Sequence, residues 1–138
     1  IIRQIKLNRR LKGLNGSMFF CSKNFTENRL GINEALQTEV YQSPALNLEN
    51  SNYQATRLKA PKLQMKEGVL TWNAVEGAIY YVVYQSSGKS VKNDKVFCIT
   101  TLLESGISKQ EEKMFYSVKS VDRGHFESVA SNWIRVGK

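Results

Sequence analysis

The chain has 138 residues, of which 41% are hydrophobic and 23% are charged, and its formal net charge is +8 at pH 7. This length allows one domain, or one small domain joined to part of another, and the composition excludes a disordered chain. No apolar run approaches the roughly 20 residues of a membrane-spanning helix, so we expect no membrane contact from this segment.

The first element is a basic stretch that contains no acidic residue. Residues 2–12 are predicted to form an amphipathic helix, because Ile2, Ile5 and Leu11 recur at near-helical spacing and Gly13 follows. The stretch has no aromatic residue on which a nucleic-acid base could stack. A solvated helix face is therefore favoured over nucleic-acid binding, and a site for anionic polymers remains as an alternative.

A short strand and a second helix are predicted next. Residues 17–22 are almost wholly apolar, as expected of a strand covered on both faces. The helix is expected over residues 32–42, capped by Asn28 or Asn33 and ended by Pro44. A single strand between two helices has no pairing partner for its backbone groups. We therefore expect this part to be a piece of a larger α/β domain, or to borrow a sheet edge.

The candidate metal ligands and nucleophiles are few. Cys21 and Cys98 lie far apart, each within an apolar run, so buried free thiols are predicted, with a disulfide as the alternative. The only histidine, His125, falls in a predicted hairpin turn and is expected at an exposed tip. The sequence predicts no metal centre, no cofactor and no Ser-His-Asp arrangement.

The pattern changes after Pro61 from helical spacing to alternation. Residues 47–60 are rich in amides and hydroxyls and are predicted to be a linker. Beyond it, short alternating runs are separated by turn signals, which predicts an antiparallel β-sandwich. These runs cover residues 69–72, 78–84, 95–103, 114–121 and 130–136.

Alternation also predicts which aromatic residues face the core. Leu70 and Trp72 share one face of their run, whereas Tyr81 points outward if Tyr80 points inward. Tyr53, Tyr81 and Phe126 could then form an exposed platform for a sugar ring. The alternative is that they cover a neighbouring domain.

The alternating half contains four motifs that carry a resemblance: Leu70-Thr71-Trp72, Tyr80-x-Val82-x-Tyr84, Phe115 to Asp122, and Gly124 with Glu127-Ser128 and Ser131. By these motifs it resembles a fibronectin type III module. The resemblance implies a seven-stranded antiparallel sandwich over residues 61–138. It also implies that Trp72 plugs the core and that Tyr116 ties strand to loop as a tyrosine corner.

Residues 16–25, 31–33 and 41–46 carry a second resemblance. Through them the N-terminal part resembles the end of a bacterial glycoside-hydrolase-like (β/α)8 barrel, of the family-10-like group of secreted proteins and lipoproteins. The resemblance implies that residues 1–46 are the C-terminal remnant of the barrel, with residues 17–22 as its eighth strand. It further implies an extracytoplasmic location (periplasmic, outer-membrane lipoprotein or secreted), a carbohydrate-directed parent, and the rest of that barrel as a partner.

The carboxylates of this part do not form the pair that glycoside hydrolysis needs. Only Glu27 lies near a predicted strand end, and the catalytic residues of the family would lie outside this chain. Barrel sites are built at the C-terminal ends of strands, so substrate contacts in the intact parent are predicted for four neighbouring residues. These are Ser22, Lys23, Asn24 and Phe25. The alternative is an ordinary polar loop.

Three functions follow from the sequence. The favoured one is a non-catalytic accessory or structural module at the end of a secreted glycoside hydrolase, so that the fragment alone is no enzyme. The alternatives are a carbohydrate-binding or adhesion sandwich and a binder of anionic polymers. Because a truncated barrel would expose apolar surface, a dimer through residues 1–46 is also predicted.

Overall fold

The computed structural model describes residues 1–14, 16–88, 94–107 and 114–137. The chain divides into two compact units, Ile1–Gln42 and Ser43–Lys138. Residues 43–46, assigned from the sequence to the barrel remnant, and the predicted linker at residues 47–60 both belong to the second unit.

The first unit consists of short helices around a small apolar cluster. They are α1 (Ile2–Asn8), α2 (Lys23–Thr26), a 3-10 turn (Arg29–Gly31) and α3 (Ile32–Glu39). Ile5, Leu36 and Val40 are buried together. α1 is shorter than the predicted helix because Ile5 is its one buried residue, whereas Leu7 and Leu11 are exposed. Without packing, a further helical turn gains little stability.

Gly31 occupies the N-cap position of α3, and the side chain of Asn28 bonds the first turn of the helix from further upstream. The backbone of Asn28 is left-handed (φ 45°), and its Oδ1 accepts the N–H of Asn33 at 3.0 Å, in the first turn of α3. Of the two predicted caps, Asn28 is thus the one that bonds the helix. Asn33 instead donates its side-chain Nδ2 to the carbonyl of Phe25 at 2.9 Å.

The predicted strand at residues 17–22 is wrong. The described residues 16–22 contain no strand, and the side chains of Met18 and Phe20 are exposed, at 98% and 106%. Cys21 is likewise exposed and Cys98 is half-buried, so the prediction of buried thiols is wrong for both cysteines, which are free. The physical reason is that a strand needs a neighbour for its backbone groups, which residues 1–42 do not offer in their described part.

The second unit is a mainly β structure of two antiparallel sheets. Its described residues form β1 (Leu63–Lys66), β2 (Val69–Trp72), β3 (Tyr80–Ser86), β4 (Lys95–Thr100), β5 (Glu104–Gly106), β6 (Phe115–Val121) and β7 (Ile134–Arg135). The strand orders are β1-β2-β5 and β4-β3-β6-β7. The prediction of an antiparallel, mainly β fold is confirmed. A total of seven strands for the whole chain stays a prediction, since residues 89–93 and 108–113 lie outside the described part.

The main core lies between the two sheets. Trp72 is buried, as predicted, and its ring centroid lies 5.8 Å from that of Tyr81. Leu70 packs in the same cluster with Val83 and Val118 from the other sheet. The predicted outward orientation of Tyr81 is therefore wrong. Every position of its run is apolar, so alternation alone could not tell the inner face from the outer one.

Serine hydroxyls replace part of the last strand. The N–H groups of Val118 and Ser120 in β6 donate to Ser131 Oγ at 2.9 Å and Ser128 Oγ at 3.1 Å. Regular pairing with β7 is confined to Phe115 and Tyr116. The last strand is shorter than predicted because these buried side chains accept hydrogen bonds from the backbone N–H groups at the edge of β6.

The side chain of Asn132 joins the two sheets. Its Oδ1 accepts the N–H of Leu63 and its Nδ2 donates to the carbonyl of the same residue, both at 3.0 Å. Leu63 begins β1, and Asn132 lies just before β7. The amide thus takes the place of a backbone partner for β1.

Residues 47–60 pack on the sandwich. The N–H of Asn50 donates to the carbonyl of Gly124 at 2.9 Å, and Ser120 Oγ donates to the carbonyl of Lys59 at 3.0 Å. Leu58 is buried. This segment forms part of the second unit's structure, which the sequence did not predict.

Candidate functional site

The outer face of the four-stranded sheet carries a second apolar cluster. Tyr84, Val82 and Val121 are buried there, with Tyr80 half-buried beside them. These side chains point away from the main core because they alternate with Tyr81 and Val83 along β3. β3 is therefore covered on both faces.

An ionic and aromatic trio lies on this face. Tyr84 Oη donates to one carboxylate oxygen of Glu127, and Lys119 Nζ lies 2.8 Å from the other. The same Nζ lies 4.9 Å from the centroid of the Tyr84 ring. Burial raises the pKa of the Tyr84 phenol, and its hydrogen bond to Glu127 and the charge of that carboxylate raise it further.

Tyr80 makes the second polar contact of the face. Its Oη lies 3.2 Å from Nδ1 of His125. Burial raises the pKa of the Tyr80 phenol. A hydrogen bond with Asn47 acts to lower this pKa, and the charges of Glu127 and Asp122 act to raise it further. His125 is half-buried, so its predicted place at an exposed tip is wrong. The turn places His125 beside Tyr80. The carboxylate of Asp122 fixes this turn, because it accepts the backbone N–H groups of Gly124 and Phe126 on both sides of His125.

A groove opens beside Tyr80. Its volume is about 650 Å³, within the range of roughly 300–1,000 Å³ found for small-molecule sites. The lining residues, none of them charged, are Ala45, Asn47, Tyr80, Ile99, Thr100, Thr101 and Leu102. Sequence reasoning missed this groove, because Asn47 and Ala45 reach it from the segment that was taken for linker and barrel remnant. Such a lining can hold a neutral ligand that has both apolar and hydrogen-bonding surfaces.

The four predicted substrate-contacting residues lie together in the first unit. Ser22 precedes α2, and Lys23, Asn24 and Phe25 form most of that single helical turn. Lys23 Nζ lies 3.7 Å from Glu27, and the Phe25 ring packs edge-on against Phe19 with centroids 5.0 Å apart. Asn24 is exposed. Substrate contact by these residues stays a prediction.

The predicted aromatic platform does not form. Tyr81 is buried in the main core and its Oη accepts the N–H of Val75 at 3.0 Å. Tyr53 and Phe126 are half-buried beside Gly124.

The carboxylates of the first unit have structural partners. Glu27 pairs with Arg29 at 2.6 Å, Glu39 pairs with Lys6 at 2.6 Å, and Glu34 accepts from Asn28 at 2.9 Å. The hydrogen bond from Asn28 lowers the pKa of Glu34.

Among the described residues, no group of three or more His, Cys, Asp or Glu side chains is placed to hold a metal ion. None of the helices in the same ranges has the length and apolar character that a membrane span requires.

The chain is similar in sequence to a bacterial protein. The chain is 34% identical over 147 residues to a protein of Bacillus subtilis (strain 168) named Glycosyl hydrolase YngK, and the match covers 94% of this chain. The chain spans only 28% of the length of that relative. No family model matches the sequence.

Solved structures resemble part of the chain at low identity. An Fn3-like protein from Clostridium thermocellum is 23% identical, and the match covers 56% of this chain and 90% of that one, with a TM-score of 0.44. The pectate lyase PelI from Erwinia chrysanthemi is 14% identical, and the match covers 57% of this chain and 27% of that one, also with a TM-score of 0.44.

Proposed function

We propose that the chain is a non-catalytic accessory module of a glycoside-hydrolase-like protein. The observation that carries this proposal is the 34% identity to the glycosyl hydrolase of Bacillus subtilis across 94% of the chain. In this proposal the second unit is a seven-stranded fibronectin type III-like sandwich, and residues 1–42 are the end of a (β/α)8 barrel whose remainder carries the catalytic carboxylates.

The bonds of the acidic residues support a structural role. Glu27, Glu34 and Glu39 each have a cationic or amide partner. Asp122 accepts three backbone N–H groups, and Glu127 is held by Tyr84 and Lys119. Each of these five carboxylates thus makes contacts within its own unit.

Exposed apolar side chains in the first unit support a partner surface. Three large apolar residues of this unit are almost fully exposed: Met18, Phe20 and Leu30. Several such residues are seldom exposed together in one small, complete domain. The partner that we propose is the remainder of the parent barrel, because most of the relative's length lies outside the matched region. A second copy of the chain, giving a dimer, is the competing partner. The parent is proposed to be extracytoplasmic.

A chimera tests this assignment. This chain would replace the matching segment of the Bacillus subtilis hydrolase, and soluble yield and thermal unfolding would be compared with those of the unaltered relative. We expect the chimera to fold with one cooperative transition. Phe20→Asp should lower the unfolding temperature of the chimera, because it places a charge in the contact with the barrel.

A matched control lies in the second unit. Val129 is also strongly exposed and apolar, and Val129→Asp should leave the chimera unchanged. A chimera that fails to fold, or one in which Phe20→Asp is as harmless as the control, would reject the accessory role. The separate chain could instead form a stable dimer that Phe20→Asp dissociates, while the same substitution leaves the chimera unchanged. That result would assign the apolar surface to a second copy.

A further inference from the structure

We infer that the groove beside Tyr80 binds a neutral oligosaccharide. The class of ligand rests on the proposed function, whereas the place and the polarity of the site come from the groove itself. A carbohydrate ligand needs an apolar surface for its C–H groups and neutral donors and acceptors for its hydroxyls.

The groove offers both kinds of surface side by side. The ring of Tyr80 and the side chains of Ile99 and Leu102 supply apolar area, and Leu102 is 63% exposed. Asn47, whose side chain hydrogen-bonds the Tyr80 hydroxyl, keeps further donor and acceptor capacity for a ligand, and the hydroxyl of Thr101 can donate and accept. An apolar ligand alone would bury this remaining capacity without compensation.

The charges near the groove argue against an acidic sugar. The lining residues are all uncharged. On the same face, Lys119 is paired with Glu127 at 2.8 Å, so this cation is already neutralised. Asp122 directs its carboxylate to backbone N–H groups of its own turn and of Thr56. A carboxylate on the ligand would therefore lose water without gaining a cationic partner among the residues that line the groove.

The walls of the groove are held in place before any ligand arrives. Tyr80 is fixed by its contact with His125, whose ring centroid lies 6.0 Å away. Thr100 Oγ1 accepts the N–H of Leu102 at 3.0 Å, which fixes the chain as it leaves β4. Because these groups are already ordered, binding costs less conformational entropy than it would on a loose surface.

A binding measurement on the intact 138-residue chain tests the site. The probes are oligosaccharides of neutral sugars (glucose, xylose, mannose and N-acetylglucosamine) and, for comparison, oligogalacturonates, first on an array and then by calorimetry. We expect saturable binding of at least one neutral probe and none of the acidic ones. Leu102→Asp should weaken that binding by at least about tenfold, since it removes apolar area and adds a charge.

Val129→Asp is the matched control. Val129 is 74% exposed in the same unit and does not line the groove, so its variant should bind within about twofold of the unaltered chain. The site is rejected if no neutral probe binds, if acidic probes bind instead, or if Leu102→Asp and Val129→Asp behave alike. Each of these results leaves the chimera experiment untouched, so a failed groove and a failed accessory role can be told apart.

Discussion

The backbone N–H of Thr56 donates to Oδ2 of Asp122 at 2.7 Å, although 66 positions separate the two residues. Oδ1 of the same carboxylate accepts the N–H groups of Gly124 and Phe126, both at 2.9 Å. One buried side chain thus closes the turn after β6 and holds the segment that precedes β1.

The pH dependence of stability should reflect this carboxylate. Burial alone would raise the pKa of Asp122, but the hydrogen bonds from Thr56, Phe126 and Gly124 outweigh it and hold the pKa below its ordinary value. A carboxyl whose pKa is lowered on folding stabilises the protein above the pKa of the unfolded chain, about 4, and loses that contribution as the pH falls towards the folded value. Urea unfolding between pH 2 and pH 7 should show this loss.

Asp122→Asn should remove that part of the acid dependence. It should also lower the free energy of unfolding at pH 7 by about 1–3 kcal/mol, because the amide keeps one acceptor oxygen and places an N–H₂ group against a backbone donor. Glu104, exposed in β5, provides the control: Glu104→Gln should change the stability by less than about 0.5 kcal/mol. Equal acid sensitivity in the unaltered chain and in Asp122→Asn would contradict the prediction.

Gly124 is required by the close approach of Tyr53. A Cβ at this position would lie 2.8 Å from Cγ of Tyr53 and 3.0 Å from Cδ2 of Phe126. Gly124→Ala should therefore lower the free energy of unfolding by about 1–3 kcal/mol, the usual effect of overpacking, as measured by thermal or urea unfolding. Gly88→Ala is the control, since no atom of the described residues lies within 4 Å of its added methyl group. In the Gly124→Ala background, Tyr53→Ala removes the clash. It should therefore lower the free energy of unfolding by less than Tyr53→Ala does in the otherwise unaltered chain.

The two hydrogen bonds between Asn132 and Leu63 can be tested by substitution. Asn132→Leu leaves the N–H and the carbonyl of the buried Leu63 without these partners, so the free energy of unfolding should fall by about 2–4 kcal/mol. Asn52 has an exposed side chain, and Asn52→Leu should be close to neutral. Amide exchange at Leu63 should accelerate in Asn132→Leu; unchanged protection there would contradict the role.

Tyr84 should make the sandwich sensitive to alkali. Its phenol has a raised pKa because of burial and of Glu127, and the folded state therefore holds the phenolic proton more tightly than the unfolded state. The stabilisation is complete below the pKa of the unfolded chain, about 10, and declines as the pH rises above it. Tyr84→Phe should flatten the stability profile above that pH, whereas Tyr41→Phe, at an exposed ring of the first unit, should leave it unchanged.

The sequence predicted the sandwich better than it predicted the faces of its strands. Alternation placed Leu70 and Trp72 correctly because Thr71, the residue between them, is polar and less buried. In β3 the residues on both faces are apolar, and alternation could not rank Tyr80 against Tyr81. The choice was decided by contacts with β6 and with the opposite sheet, which depend on strand pairing and not on local pattern.

The candidate site could be predicted even less. Asn47 lies in a polar segment, Tyr80 in a strand and Leu102 after another, and the groove exists only because folding brings them together. For the apolar run that contains Phe20, the sequence predicted burial, whereas the structure shows exposure. The composition of the run fits a buried strand, but burial requires neighbouring strands that residues 1–42 do not supply in their described part.

The attachment of residues 43–60 matters to anyone who wishes to transplant this sandwich into another protein. A graft that starts at Pro61, where alternation begins, would discard Leu58 and the N–H of Thr56, leaving Asp122 buried with one donor fewer. A graft that starts at Ser43 keeps both. The portable piece, and therefore the stretch that recombination between genes could move without loss of stability, is longer on its N-terminal side than the strands themselves.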